Sequence, residues 1–235
     1  MSCLAGCDGN PNVIGSGVSK SESRSITDVQ SVFLYGVGNL NVVAGDELSL
    51  KITADDNLLQ YVKSDITDGV LKLGVGPGSY TWHDFPHMEL TVPRLNSVVL
   101  EGQTQVRVTG LNVSEFSVTT SGQNLVVLTG NAETLQLNLE GQSTCDATEV
   151  TARSATVRSA GKNVQCTYRL CVTDSIDGEL TGTSVLEYTD LPNVAVTVKT
   201  TGQASVRKVQ FTDAARVPAL ENSLFSGNDT SLSKD

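Results

Sequence analysis

The chain has 235 residues, 39% hydrophobic but only 5% aromatic, so it is long enough to bury a core and must build it from aliphatic side chains. A formal net charge of -10 argues against a grip on a nucleic-acid backbone or on anionic lipid, since both need clustered Lys and Arg. No stretch approaches the roughly 20 apolar residues of a membrane-spanning helix.

The elements follow in chain order. Leu4-Ala5-Gly6-Cys7 resembles the lipobox of bacterial lipoproteins, in which the cysteine becomes the lipidated first residue, although neither a basic nor an apolar leader precedes it. The segment Asp8 to Arg24, rich in Gly, Ser and Asn, reads as a flexible tether, so residues 1–24 are taken as anchor and tether. Residues 25–94 read as a β-rich cap. Ser31–Tyr35 and Asn39–Val43 are strands flanking Gly36-Val37-Gly38, and Glu47–Thr53 alternates as a half-buried strand should. Asp55–Val62 is the one helix expected, with Leu58, Leu59 and Val62 on one face. Gly69–Gly74 and Met88–Val92 are further strands.

From Leu95 the chain repeats. Gly102, Gly122, Gly141, Gly161, Gly182 and Gly202 are spaced by 20, 19, 20, 21 and 20 residues. Four residues before most of them stand Val98, Val118, Leu137, Val157 and Val198, with Gly178 the exception. Behind them lie Val106, Val126, Cys145, Cys166, Leu186 and Val206, allowing one extra residue after Gly161. Two aliphatic rows with a period near 20 predict an all-β fold, a parallel β-helix over residues 95–212 behind the N-terminal cap. Glycine suits a sharp, repeated turn because a positive φ costs it nothing. Gln103, Gln123 and Gln142 follow the first three and predict an amide ladder, interrupted at Lys162 and Thr183. Residues 213–235 form a polar tail.

The order of four segments is more specific than any one of them: Val32–Gly45 with its Gly-Val-Gly turn, Ile52–Val62, Asp68–Leu73, and Val92–Gly102. Together they resemble the head GIN domain family of auto-transporter adhesins (DUF2807), over about Ile26 to Val209. That family usually has Gly-Ser-Gly or Gly-Ala-Gly where this chain has Gly36-Val37-Gly38. The resemblance implies a secreted or lipid-anchored bacterial envelope protein with a β-helical body, and it supplies no catalytic residues and no cofactor.

Chemistry-bearing residues are few. Tyr80, Trp82, His83 and His87 share one short loop with Asp84, Phe85 and Pro86. Such a set could stack on a sugar or peptide, or the two imidazoles could ligate Zn²⁺. Pro86 argues against the helix that would bring His83 and His87 to one side, and packing of the aromatics on the scaffold edge is the simplest reading. The residues after the second inward row read Arg107, Val127, Asp146, Thr167, Glu187 and Arg207, so no two acids are adjacent as a glycosidase would need. Cys145 and Cys166, placed on neighbouring coils, or Cys166 and Cys171, could form a disulfide in an oxidising compartment; quiet thiols are the alternative. These observations predict a non-catalytic envelope scaffold, anchored to the membrane by lipid at Cys7, whose partner is a glycan or an envelope protein and not nucleic acid. The competing class is a carbohydrate-active β-helix enzyme, a polysaccharide lyase or hydrolase.

Overall fold

The structure is a computed structural model and describes residues 12–161, 163–189 and 191–211. Cys7, Lys162 and the tail from residue 213 onward lie outside the described residues. The fold is all-β. In chain order the strands are β1 (Val13–Ile14), β2 (Ser19–Arg24), β3 (Ser31–Ala44), β4 (Ser49–Asp55), β5 (Val62–Thr67), β6 (Val70–Val75), β7 (Tyr80–Thr81), β8 (His87–Val92), β9 (Ser97–Leu139), β10 (Thr144–Ser159), β11 (Thr167–Leu180), β12 (Val185–Thr189), β13 (Ala195–Thr200) and β14 (Ser205–Val209). No helix among them is long and apolar enough to cross a membrane.

Twelve strands form one sheet whose main path runs β14-β12-β11-β10-β9-β3-β8-β4-β2. From β3 onward every pairing on this path towards β14 is parallel. β3 opens this ladder, matching Leu40 to Val106 and Val32 to Val98. Its alternation follows from the sheet period of two: Val32, Leu34, Leu40 and Val42 turn inward and are buried. The bend at Gly36 and Gly38 does not break β3, which runs as one strand through the turn expected there. Its other side pairs with β6 in the first half and β8 in the second, and antiparallel β5 and β4 extend each.

Both inward rows are buried up to Leu186, with Val198 and Val206 half-buried at the far end, but one assignment is corrected. Register places Leu40, Val106, Val126, Cys145, Tyr168, Leu186 and Val206 in one column, so Tyr168 stands where Cys166 was expected. The reason lies at the turn. The N–H of Gln142 donates to Gly122 O at 2.7 Å, that of Gln165 to Gly141 O at 2.8 Å, that of Thr183 to Val164 O at 3.0 Å and that of Gln203 to Gly182 O at 2.7 Å. Val164, not Gly161, therefore occupies the glycine column, directly after Asn163 with φ of 61°. Asparagine tolerates this left-handed conformation. The same slip puts Gln165 in the glutamine column, so Thr183 interrupts that column but the fourth turn does not.

The glycines stack because nothing larger fits between turns. A Cβ on Gly122 would lie 2.4 Å from the carbonyl oxygen of Gly102. Beside this column Thr104 Oγ1 donates to Asn124 Oδ1 at 2.7 Å, and Asn124 Nδ2 donates to Ser143 Oγ at 3.3 Å. These buried polar side chains satisfy each other from turn to turn, which keeps the desolvation cost of the corner low.

Two expectations near the N-terminus are overturned. The segment Asp55–Val62 forms only a 3-10 turn, Leu59–Tyr61, because Asp55 still belongs to β4 and Val62 already opens β5. The tether is paired from Val13: β1 runs parallel to β7, and the polar β2 pairs antiparallel with β4 along six residues. A polar, charged edge strand of this kind shields a sheet from further pairing. Arg24 at its end donates to the carbonyls of Val62 at 2.7 Å and Leu59 at 3.3 Å, pinning the 3-10 turn.

Candidate functional site

Three rings form a row on the N-terminal part of the surface. Tyr61 ends the 3-10 turn, Tyr80 lies in β7, and Trp82 follows it; centroids are 5.0 Å apart for Tyr61–Tyr80 and 6.0 Å for Tyr80–Trp82. All three are half-buried, and Trp82 packs against the core. Tilted rings at these separations attract through their quadrupoles. The sequence placed Tyr80 and Trp82 together but put Tyr61 within the expected helix Asp55–Val62.

The loop that carries Tyr80 and Trp82 is held from beneath. Asp55, buried at 4% exposure, accepts the N–H of Gly17 at 2.8 Å on one oxygen and that of His83 at 3.0 Å on the other. β1 adds Val13 N–H to Ser79 O at 2.9 Å and Gly15 N–H to Thr81 O at 2.8 Å. The aromatics thus stand on a backbone fixed by a carboxylate and two strands, which lowers the entropy lost when a ligand is held. His83 and His87 have different surroundings. The His83 ring lies against Gly17, while His87 in β8 places Nε2 3.4 Å from Asn41 Nδ2. Among the described residues no group of three or more His, Cys, Asp or Glu is placed to hold a metal ion.

A second feature is the column outside the buried row. Register aligns Asn41, Arg107, Val127, Asp146, Arg169, Glu187 and Arg207, with Arg169 where Thr167 was expected. Arg169 bridges two rungs: Nη1 lies 3.1 Å from Asp146 Oδ2 and Nε lies 3.4 Å from Glu187 Oε2. Its guanidinium also sits 5.1 Å from the ring centre of Phe211. Asp146 is buried and also accepts from the N–H and Oγ1 of Thr148. A guanidinium separates the two acids of this column, so they form no carboxylate pair of the kind that hydrolyses a glycosidic bond. Asp146 is the buried member of this network, and Arg169 and Glu187 are half-buried.

Cys145, Cys166 and Cys171 are free thiols; Cys145 and Cys166 are buried, in different columns, and the structure does not join them. Burial pushes the Cys145 thiol far up and Cys166 up to about 11, and a backbone hydrogen bond from Ser143 only partly opposes the latter. Both thiols stay protonated and unreactive at neutral pH. Iodoacetamide is expected to leave Cys145 and Cys166 unmodified in the native protein and to alkylate both in guanidinium, read by mass spectrometry. Between the ordinary value of 9.0 and about 11 the unfolded chain releases the Cys166 proton while the native state keeps it. Stability contributed by this group is therefore full below 9 and is lost as pH rises through that window. Cys166→Ala should show a shallower fall in urea midpoint over the same range than the parent protein.

With this geometry in view, comparison with known proteins settles the family. The model of the family described as "Putative auto-transporter adhesin, head GIN domain" (DUF2807) matches residues 30–192. The chain belongs to this head GIN family. The match begins at the end of the loop before β3 and ends after β12, so it includes the ladder up to β12, the 3-10 turn and the aromatic loop. Among solved structures, the chain is similar to a "putative adhesin" from Bacteroides fragilis, with TM-score 0.68, 17% identity, and coverage of 84% of this chain and 100% of that one. It is also similar to a "putative adhesin" from Parabacteroides merdae, with TM-score 0.53, 19% identity, and coverage of 85% and 99%. A third similar structure is a "putative lipid binding protein" from Parabacteroides distasonis, with TM-score 0.51, 16% identity, and coverage of 85% and 100%. At these identities the likeness is one of fold. No curated protein matches the chain.

Proposed function

We propose that this head GIN protein is a non-catalytic, adhesin-like binding protein of the bacterial cell envelope, built as a parallel β-helix. The β-helix reading is supported by parallel register that recurs about every 20 residues, with turn glycines meeting turn glycines. Its binding surface is the row Tyr61, Tyr80 and Trp82, and its partner is a glycan or an envelope protein. The single observation that carries this reading is the buried Asp55 carboxylate fixing the loop of Tyr80 and Trp82, against which Tyr61 stacks. Pre-fixed rings next to polar side chains suit contact with a sugar face or a peptide side chain, and they suit holding better than cleaving. The acid column supports the same choice, because Arg169 keeps Asp146 and Glu187 apart.

The test is a screen of the purified protein against arrays of glycans and envelope proteins, repeated with Trp82→Ala and Tyr80→Ala. Each variant should keep the β circular-dichroism spectrum and weaken capture by about 1–3 kcal/mol, the loss typical of an aromatic anchor. Undiminished capture by both variants, or cleavage of a polysaccharide that disappears on mutating an acid, would overturn the reading. The membrane anchor belongs to the same proposal: labelled palmitate should enter the full-length protein and not Cys7→Ser.

A further inference from the structure

We propose a second site: a groove over the turns of β9 and β10 that takes a linear, neutral chain of N-acetylated hexoses. The groove has a volume of about 490 Å³ and crosses successive rungs of the ladder. Its floor is Val113, Ala132 and Ala152, all buried and two of them no larger than a methyl group. Register stacks Ala132 on Ala152 and Asn131 on Thr151. Asn112, Asn131 and Thr151, which precede the floor residues, are exposed along one side.

Three features favour a sugar chain. Rungs repeat at about 4.8 Å, which is close to the rise of one extended hexose, so equivalent side chains meet equivalent hydroxyls along the polymer. Amides and hydroxyls both donate and accept, as polyols do. The charges balance: Glu133 lines the groove together with Arg94 and Arg153, and Arg153 is itself paired with Asp174 at 3.1 Å, so a polyanion gains little. An extended peptide would need free backbone groups to pair with, and on this stretch β9 and β10 are already hydrogen-bonded to each other. The acyl specificity comes from a neighbouring cavity of about 120 Å³ that shares Arg94, Asn112 and Val113 with the groove and is lined by Val42, Val108 and Leu111. It offers an apolar seat for the methyl of an acetamido group at the end of the chain.

This assignment rests on the binding reading above but uses different residues, and one experiment separates the two. The full chain is titrated calorimetrically with chitohexaose, which carries acetamido groups, and with cellohexaose, which lacks them; the sugars are then weighed by mass spectrometry. Chitohexaose should bind more tightly than cellohexaose. The exposed double variant Asn131→Ala/Thr151→Ala should fold normally and bind about tenfold more weakly, and Trp82→Ala should bind as the parent does. Absence of binding by both sugars, undiminished binding by the double variant, or loss confined to Trp82→Ala would overturn the groove site. Equal binding of the two sugars would remove the acetamido seat. Shortened sugars, with binding still lost in the double variant, would uphold the groove and sink the non-catalytic function.

Discussion

Tyr168→Ala is expected to destabilise the protein by about 3–5 kcal/mol, the range for deleting a large buried ring. Tyr168 is fully buried in the column between Cys145 and Leu186, and its hydroxyl donates to the carbonyl of Arg158 at 2.5 Å. Alanine leaves a cavity and removes that donor together. Tyr168→Phe keeps the ring and should cost on the order of 1 kcal/mol, the net value of one hydrogen bond. Urea unfolding at unchanged m-value measures both. Cys166→Ala provides the contrast, since the register makes Tyr168 and not Cys166 the member of the column. A larger loss from Cys166→Ala than from Tyr168→Ala would show that the fourth turn had been aligned wrongly.

Gly178→Ala should be worse still for so small a change, at more than about 4 kcal/mol, a loss that single substitutions rarely reach. Register sets Gly178 between Val157 and Val198 in the aliphatic row. A Cβ there would fall 1.8 Å from the carbonyl oxygen of Val157, and φ is 147°, which side chains rarely adopt. The obstructing atom is backbone within the ladder, so relief requires breaking the pairing of β10 with β11. Gly76→Ala is the control: its nearest neighbour would be Lys63 Cε at 3.5 Å, and the change should stay within about ±0.5 kcal/mol. Comparable folded yield and urea midpoint for the two variants would contradict the close approach of the strands at Gly178.

The aromatic site was half legible in the chain. Tyr80 and Trp82 are adjacent enough for composition alone to mark their loop. Tyr61 and Asp55, which complete and support it, lie about 20 and 25 residues upstream of that loop. No local pattern links them to it, and the apolar spacing of Leu58, Leu59 and Val62 pointed to a helix instead. Pairing of β4 with β2 and of β5 with β6 claims these backbone groups first, leaving one 3-10 turn. Local helix propensity over so few residues is too weak to resist that.

What the sequence by itself determined is the repeat: its period, the two aliphatic rows, and the glycine turns. These are one-residue decisions, since an inward position must be apolar and a turn that meets another backbone must lack a Cβ. Only the tertiary structure decided the register of the fourth turn, and with it the places of Tyr168, Gln165 and Arg169. There the chain has a glycine, Gly161, just before the true corner, and residue type cannot tell which backbone position accepts the next rung's hydrogen bond. Val164 takes it because Asn163 supplies the left-handed residue and Thr183 finds the Val164 carbonyl. The docking of β1 and β2 was likewise decided in three dimensions, because a polar strand owes its place to the edge it pairs with and not to any hydrophobic pattern of its own.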